Sequence, residues 1–302
     1  MKSNKSEIKK IKKLIIPAAG WGTRFLPMTK IIHKELVPIL DTPVIDRLVD
    51  EALESGIEEI LIVLSDRKVD LLNFFRVDQD LQTELILKGK KDILAKVKKT
   101  NRSNYITKVI QKEQHGLGHA LATCKEFLDN EPFAIILGDD LIKAKTPAIK
   151  QLINFYNQTG ANVIGVQSVD REYINKYGIV NPINSKEKDN KYFEIDGAVE
   201  KPSPEKAPSN KAILGRYVFN YEILEILSKI EYDGKNEIQV VDAFDELMRK
   251  YNQKIYAYEF EGTRYDLGSM EGFVKANIDY ALEEPQIAEQ IKEFIKQKNK
   301  EI

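Results

Sequence analysis

Short apolar runs alternate with segments of helical periodicity through the first half of the chain. The runs predict buried strands at 14–18, 60–64, 105–110, 133–137 and 163–166. Between the first two runs, apolar residues recur at helical spacing over 44–53, and Gly56 then ends the helix. Further helices are predicted from Gly116 to about Leu128 and over 240–251. Strands and helices in this order predict an α/β fold with a central, mostly parallel sheet and helices on both of its faces.

The second half of the chain has a different pattern. Strand-like segments lie closer together, at 179–180, 193–199, 213–219 and 255–260, with a proline-rich loop at 201–210. We predict one domain over 1–302, with a first lobe over about 12–145, a smaller β-rich lobe over about 146–281 and a helical tail over 282–302. The tail carries one apolar stripe, which predicts docking on the body or association into a homo-oligomer: Ile287, Ile291, Phe294 and Ile295.

A glycine-containing loop follows the first predicted strand. In Gly20-Trp21-Gly22-Thr23-Arg24, the two glycines leave backbone N–H groups open to a phosphate, and Arg24 adds a charged donor. A dinucleotide fingerprint would need a third glycine where Phe25 stands. Neither Gly-Lys pair of the chain, at 89–90 and 234–235, precedes Ser or Thr, so a Walker-type phosphate loop is excluded as well. The loop therefore predicts a different kind of nucleotide phosphate site.

Lys34 is the residue that we expect to stabilise charge in a transition state. A phosphate that attacks a triphosphate brings two anions together, which repel by about 4 kcal/mol per charge pair at 4 Å and an effective dielectric constant near 20. Cations must offset this repulsion. Lys34, Arg24 and a metal ion are the candidates.

Polar side chains follow several predicted strands, where a parallel sheet gathers its ligand-binding groups at one edge. Asp139 follows the run at 133–137, and Asp266 follows the run at 255–260, so both carboxylates are candidate Mg²⁺ ligands. Asp140 is the weaker candidate. The amide of Gln111 can pair with a base edge, although a polar loop is the better interpretation of this residue on its own.

The composition of the chain bears on its binding partners and on its cellular compartment. The 302 residues carry a net charge of −1, which gives no electrostatic reason to expect binding to nucleic acid or to a membrane surface. No run approaches 18 apolar residues, and no apolar core follows the lysine-rich start. Cys124 is the single cysteine, which fits a reducing compartment, and its apolar helical surroundings predict a buried thiol. We expect a cytosolic protein.

The opening segment resembles that of bacterial UTP–glucose-1-phosphate uridylyltransferases. It reads Pro17-Ala18-Ala19-Gly20-Trp21-Gly22-Thr23-Arg24-Phe25-Leu26-Pro27, then Thr29-Lys30. Seven later segments match the same family in order: Gly116-Leu117-Gly118-His119-Ala120, Leu137-Gly138-Asp139-Asp140, Tyr177-Gly178-Ile179, Val199-Glu200-Lys201-Pro202, Ala207-Pro208-Ser209-Asn210, Gly215-Arg216-Tyr217 and Arg264-Tyr265-Asp266-x-Gly268. The opening alone fits the whole sugar-nucleotidyltransferase superfamily, whereas the later segments favour the uridylyltransferase branch.

The resemblance implies a Rossmann-like nucleotide-binding lobe, a mixed, mostly parallel central sheet, a sugar-phosphate-binding lobe and Mg²⁺ as cofactor. It implies the reaction of UTP with α-D-glucose 1-phosphate to give UDP-glucose and pyrophosphate. Arg24 and Lys34 would meet the phosphates, and Asp139 and Asp266 would bind the metal. The nucleotide would be held by Ala18, Ala19, Gly20, Gly22, Thr23 and Glu35, with Gln111 and Gly116 at the uracil. The glucosyl phosphate would face Gly178, Glu200, Lys201 and Gly215.

Two positions depart from the family pattern. His33 stands before Lys34 where the family usually has proline, which loosens the loop that carries Lys34. Val240-Val241-Asp242 replaces the usual Leu-Thr-Asp, so a hydroxyl near the sugar lobe is lost.

Three alternative functions stay open. The nearest is a related nucleotidyltransferase that uses dTTP or another sugar 1-phosphate. A non-catalytic sugar-nucleotide-binding subunit would keep the fold without turnover. A glycosyltransferase would typically carry Asp-x-Asp, whereas the acids here are adjacent.

Overall fold

The computed structural model describes residues 8–184, 186 and 190–301. The ends of the predicted domain at 1–7 and 302, and residues 185 and 187–189 in its second lobe, lie outside this description.

The strands and helices follow the predicted alternation. The strands are β1 Lys13–Pro17, β2 Pro38–Ile39, β3 Thr42–Pro43, β4 Glu59–Leu64, β5 Ile106–Ile110, β6 Phe133–Ile136, β7 Asp140–Lys143, β8 Asn162–Ser168, β9 Gly178–Pro182, β10 Tyr192–Glu200, β11 Lys211–Phe219, β12 Ile255–Glu259 and β13 Thr263–Asp266. The α-helices are α1 Val44–Glu54, α2 Gln79–Leu87, α3 Lys91–Lys99, α4 Leu117–Ala122, α5 Ala148–Thr159, α6 Glu222–Leu227, α7 Phe244–Arg249, α8 Met270–Ala281 and α9 Ala288–Lys298. The chain also forms 3₁₀ turns, among them Lys34–Leu36 and Asp66–Phe75.

The main sheet has the strand order β5-β4-β1-β6-β11-β8-β12-β10-β9. Strands β5, β4, β1 and β6 are parallel, as predicted. In the second half, β8 and β12 are parallel, but β11 is antiparallel to both β6 and β8, and β10 is antiparallel to β12 and β9. The α/β class is confirmed. The second half is more antiparallel than predicted. Residues 183–191 alone separate β9 from β10, which is fewer than the dozen or so residues that a crossover between parallel strands needs.

Helices cover both faces of this sheet. Alternate residues of β1 point to opposite sides, with Leu14 in one apolar cluster and Ile15 in the other. The first cluster contains α1 and α5, and the second contains α4, α6 and α7. Cys124 is buried in the second cluster, as predicted, and burial raises the pKa of its thiol to about 12.

Two predicted helices are shorter in the structure. The helix expected from Gly116 to about Leu128 ends at Ala122, and a separate 3₁₀ turn covers Lys125–Phe127. The helix expected over 240–251 begins with a 3₁₀ turn at Val240–Ala243, where Gln239 and Asp242 form a capping box. Among the helices of the described residues, none is long and apolar enough to cross a membrane.

A buried ion pair connects α1 to the sheet beneath the strand ends. Arg216 on β11 is fully buried and donates to both carboxylate oxygens of Glu51, at 2.9 and 2.7 Å. The same guanidinium donates to the backbone oxygen of Asp140 at 2.9 Å. Glu51 also accepts from the backbone N–H of Ile149 at the start of α5. This pair therefore fixes the backbone that leads into the polar edge of the sheet.

Removing Glu51 is expected to destabilise the fold. Glu51→Ala leaves Arg216 buried without its carboxylate, which should lower the free energy of unfolding by roughly 3–5 kcal/mol. Urea unfolding measures this loss. Glu54→Ala on the same helix is the control, and an equal, small effect of both variants would contradict the structural role of the pair.

Candidate active site

A cleft of about 500 Å³ lies at the carboxyl-terminal edge of the parallel strands. Six of the predicted site residues line it: Arg24, Asp139, Gly178, Glu200, Lys201 and Asp266. They come from loops and strands that are far apart in the chain. The expected convergence of the motifs at one sheet edge is therefore present in the structure.

The two glycines of the loop after β1 have different surroundings. A Cβ built on Gly20 meets no atom within 4 Å, so the backbone there is open to an approaching group. Gly22 has φ +68°, and a Cβ there would lie 3.2 Å from the Cβ of Lys34 and 3.3 Å from Thr29. Gly22 therefore lets the loop pack against the stem of Lys34. Ala18 and Ala19 are buried beneath the loop, and Thr23 is exposed at its tip.

Lys34 forms an ion pair with Asp139, which lines the cleft. Their Nζ and Oδ2 atoms are 3.3 Å apart. Burial alone would lower the pKa of Lys34, but the carboxylates of Asp139 and Glu35 outweigh it and hold that pKa above its ordinary value. Burial likewise opposes ionisation of Asp139, yet Lys34 and Arg24 hold the pKa of its carboxyl below the ordinary value. Both groups are therefore charged near neutral pH.

The structure places Glu35 beneath the cleft rather than in its lining. Glu35 is fully buried, and both of its oxygens accept hydrogen bonds from Lys68 Nζ, at 3.0 and 2.9 Å. Lys68 also donates to the backbone oxygen of Ala18 at 2.9 Å. Glu35 therefore holds the Lys34 turn against the start of the glycine loop through Lys68. Its predicted contact with nucleotide stays a prediction, and in this geometry Lys68 already occupies both of its oxygens.

Three aspartates lie together but in different surroundings. Asp266, at the end of β13, pairs in register with Asp140 of β7, and Leu267 N–H donates to the backbone oxygen of Asp139 at 2.8 Å. This short ribbon, which the sequence did not predict, brings Asp266 to the cleft. Asp140 is bound instead to Arg264, and burial raises the pKa of its carboxyl even with that arginine beside it. Asp139 and Asp266 are therefore better placed than Asp140 to bind a cation.

The predicted uracil residues lie behind the cleft. Gln111 is 3% exposed, and its Nε2 donates to the Gly116 carbonyl at 3.4 Å and lies 3.0 Å from His119 Nδ1. A Cβ on Gly116 would lie 2.5 Å from the carbonyl oxygen of Ile238, so its space is taken by the protein's own backbone. Gly118 N–H also donates to that carbonyl, at 2.8 Å.

The predicted sugar-side residues fall into two groups. Gly178 pairs in register with Glu200 across β9 and β10, and Glu200 forms an ion pair with Lys201 at 3.0 Å. These three residues line the cleft. Gly215 does not line it: with φ +68°, a Cβ there would lie 2.5 Å from Asp140 Oδ2. The absence of a side chain here leaves room for the Asp140 carboxylate, and contact of Gly215 with the sugar phosphate stays a prediction.

Two cleft residues were missed as functional candidates. Arg264 donates to the Tyr177 hydroxyl at 3.0 Å and lies 4.7 Å above the ring centroid. The Tyr177 hydroxyl is in turn 3.4 Å from Asp266 Oδ2, so the network orients one of the predicted metal ligands. Both residues occur in segments that match the family, yet the sequence gives no sign of which members of a segment face the cleft. Gln239, Val240 and Val241 also line it.

Comparison with known proteins agrees with this geometry. The family model described as nucleotidyl transferase matches residues 13–283. The UTP–glucose-1-phosphate uridylyltransferase of Staphylococcus epidermidis is 48% identical over 290 residues, covering 96% of this chain and 99% of the relative. The corresponding protein of Staphylococcus haemolyticus is 47% identical over 290 residues, with the same coverage.

Solved structures give the same result. A UDP-glucose pyrophosphorylase complexed with UDP-glucose has a TM-score of 0.80 at 37% identity, covering 91% of this chain and 100% of that one. The UTP-bound enzyme from Acinetobacter baumannii has a TM-score of 0.85 at 35% identity, covering 94% of this chain and 98% of that one. The chain belongs to the nucleotidyl transferase family and, within it, to the UTP–glucose-1-phosphate uridylyltransferases.

Proposed function

We propose that this protein transfers a uridylyl group from UTP to α-D-glucose 1-phosphate, giving UDP-glucose and pyrophosphate. The observation that carries the proposal is the placing of Lys34 against Asp139, with Arg24 and Asp266 in the same cleft. A cleft that only bound a sugar nucleotide would have less need of two cations and two carboxylates together. The relatives named above carry the same activity in their names.

The nucleotide side of the site is formed by the glycine loop. The open backbone at Gly20 and the side chain of Arg24 would bind phosphate oxygens, and Thr23 is exposed beside them. Gln111 and Gly116 remain the proposed determinants of the uracil site, with Gln111 acting through its amide. Gly178, Glu200 and Lys201 form the proposed sugar-phosphate side. Glu200 would accept sugar hydroxyl hydrogens, and Lys201 would neutralise the phosphate.

Asp139 and Asp266 would hold Mg²⁺. Within the described ranges, no group of three or more His, Cys, Asp or Glu residues is arranged to hold a metal ion. Two carboxylates with open coordination fit magnesium, which keeps waters and takes substrate phosphates as its other ligands. When bound, the ion would neutralise charge on the phosphates that it shares with the protein.

The chemical step needs no covalent enzyme intermediate. A phosphate oxygen of glucose 1-phosphate forms a bond to the α-phosphorus of UTP, while the bond from that phosphorus to the pyrophosphate oxygen breaks in line. Lys34 carries its charge at neutral pH because Asp139 and Glu35 favour the protonated amine. Lys34 and Arg24 therefore offset the approach of two anions, and the leaving pyrophosphate departs as an anion that needs no proton from the protein.

The proposal is tested by pyrophosphate release from a panel of triphosphates and sugar 1-phosphates. We expect release with UTP and glucose 1-phosphate, and a much lower kcat/KM with dTTP or with other sugar phosphates. Preference for dTTP would favour the related nucleotidyltransferase. Binding of UDP-glucose without release from any pair would favour a non-catalytic subunit.

We also propose that the protein is a homo-oligomer in the cytosol. The tail helix α9 leaves Ile287, Phe294 and Ile295 exposed at 37%, 55% and 39%, in agreement with the predicted stripe. Light scattering at micromolar concentration should give a mass above that of one 34.6 kDa chain. Phe294→Glu should lower that mass, and a wild-type protein that is monomeric would contradict the proposal. The cytosolic location rests on the lone cysteine alone.

A further inference from the structure

His33 immediately precedes Lys34 and has its own partner in a neighbouring turn. Its Nε2 lies 2.8 Å from Oδ1 of Asp70, and its side chain is 16% exposed. Asp70 belongs to the 3₁₀ turn Asp66–Phe75. The hydrogen bond with His33 holds the pKa of the Asp70 carboxyl below its ordinary value, so the acceptor is ionised near neutral pH. The contact therefore joins the Lys34 turn to the turn Asp66–Phe75.

The same turn holds the residue on the other side of Lys34. Lys68 donates to both oxygens of Glu35 and to the backbone of Ala18, as described above. The residues before and after Lys34 are thus both tied to Asp66–Phe75, by one partly exposed pair and one buried pair. Among the described residues, the Lys34 ammonium group has one polar partner, Asp139, and a substrate phosphate would compete for that contact.

The backbone conformation of His33 indicates that the His33–Asp70 pair stands in for the proline that the family usually has at this position. Its φ is −60° and its ψ is 135°, an extended conformation in which a proline ring would fit without strain. A proline would restrict this residue through its ring. With histidine, the restriction must come from the side chain, and Asp70 supplies it.

We propose that His33 and Asp70 form a positioning pair. By fixing the turn that carries Lys34, the pair keeps the Lys34 ammonium group directed at the reacting phosphate. His33 Nε2 is engaged by Asp70, and neither residue lines the cleft, so we assign the pair a positioning role rather than a catalytic one. The pair acts by limiting the movement of the Lys34 backbone. This inference rests on the proposed role of Lys34 in the transition state.

The test uses single and double variants of the full chain. His33→Ala and Asp70→Ala should each lower kcat by roughly tenfold, with KM for UTP within about twofold of wild type, because a misplaced cation weakens the transition state more than the ground state. The double variant should lose no more than either single variant, because both remove one contact. Asp66→Ala, which removes an exposed acid from the same turn, is the matched control and should leave kcat unchanged.

A proline variant separates positioning from general stability. His33→Pro removes the contact with Asp70 but fixes the backbone at the observed φ, so we expect kcat within about threefold of wild type. The melting temperature should be nearly constant across the series, because the pair is too exposed to contribute much stability. Additive losses in the double variant, a proline variant as slow as His33→Ala, or losses that follow the melting temperature would each overturn the inference.

Including Lys34→Ala in the same series distinguishes the two proposals. If Lys34→Ala keeps near-normal turnover, the proposed role of Lys34 fails. If Lys34→Ala is slow while His33→Ala is normal, only the positioning role is wrong.

Discussion

Replacing Lys34 with alanine is expected to lower kcat by roughly 10²–10³, the scale for losing one preorganised charge donor. KM for UTP should change much less, because Lys34 is proposed to act on charge that develops in the transition state. Lys254→Ala removes a lysine that pairs with Glu194 on the far part of the sheet, and it serves as the control with unchanged kcat. Steady-state pyrophosphate release measures both variants. Turnover of Lys34→Ala near that of Lys254→Ala would remove Lys34 from the mechanism.

Lys34→Ala should also shift the acidic limb of the pH–rate profile to higher pH. Lys34 helps to hold the pKa of Asp139 below its ordinary value. Without Lys34 that pKa rises, so a larger fraction of Asp139 is protonated at mildly acidic pH. The proposed mechanism requires Asp139 to be ionised. The residual activity of Lys34→Ala should therefore be lost at a higher pH than the activity of wild type. An unchanged acidic limb would contradict the coupling between the two residues.

Replacing Asp139 with asparagine is the second change with a large expected effect. Asp139→Asn keeps the size of the side chain but removes the charge that faces Lys34 and the proposed Mg²⁺. We expect kcat to fall by roughly 10²–10³, with a higher Mg²⁺ concentration needed for half-maximal rate. A magnesium titration of the rate measures both quantities.

A matched control for this charge loss lies outside the cleft. Asp196 is exposed on β10 and accepts a hydrogen bond from Asn181. Asp196→Asn should leave the rate and the magnesium dependence unchanged. Loss of rate in Asp139→Asn without a change in magnesium dependence would leave Asp139 as a partner of Lys34 only.

The sequence predicted the parallel half of the sheet because each strand there is a continuous apolar run between helical segments. It also predicted that Arg24, Asp139 and Asp266 share one cleft, because strand ends in such a sheet meet at one edge. It did not predict the ribbon of β7 and β13, whose strands are short and partly polar. That ribbon is what sets Asp266 opposite Asp140.

The glycines show where reasoning from sequence reaches its limit. The space that a Cβ would take at Gly20 is open, as expected for a phosphate loop. The same space is filled by the carbonyl of Ile238 at Gly116 and by the carboxylate of Asp140 at Gly215. A glycine marks a close approach, but which group approaches depends on contacts between residues distant in the chain. The same limit applies to Glu35, whose partner Lys68 lies 33 residues away.

A structure of the protein with UTP and Mg²⁺ bound is the most direct test of the proposed site. We expect the triphosphate to lie across the backbone of Gly20, with Arg24 and Lys34 within hydrogen-bonding distance of phosphate oxygens and the metal ion on Asp139 and Asp266. A triphosphate bound elsewhere, or one that leaves Lys34 and Asp139 paired to each other and out of its reach, would contradict it.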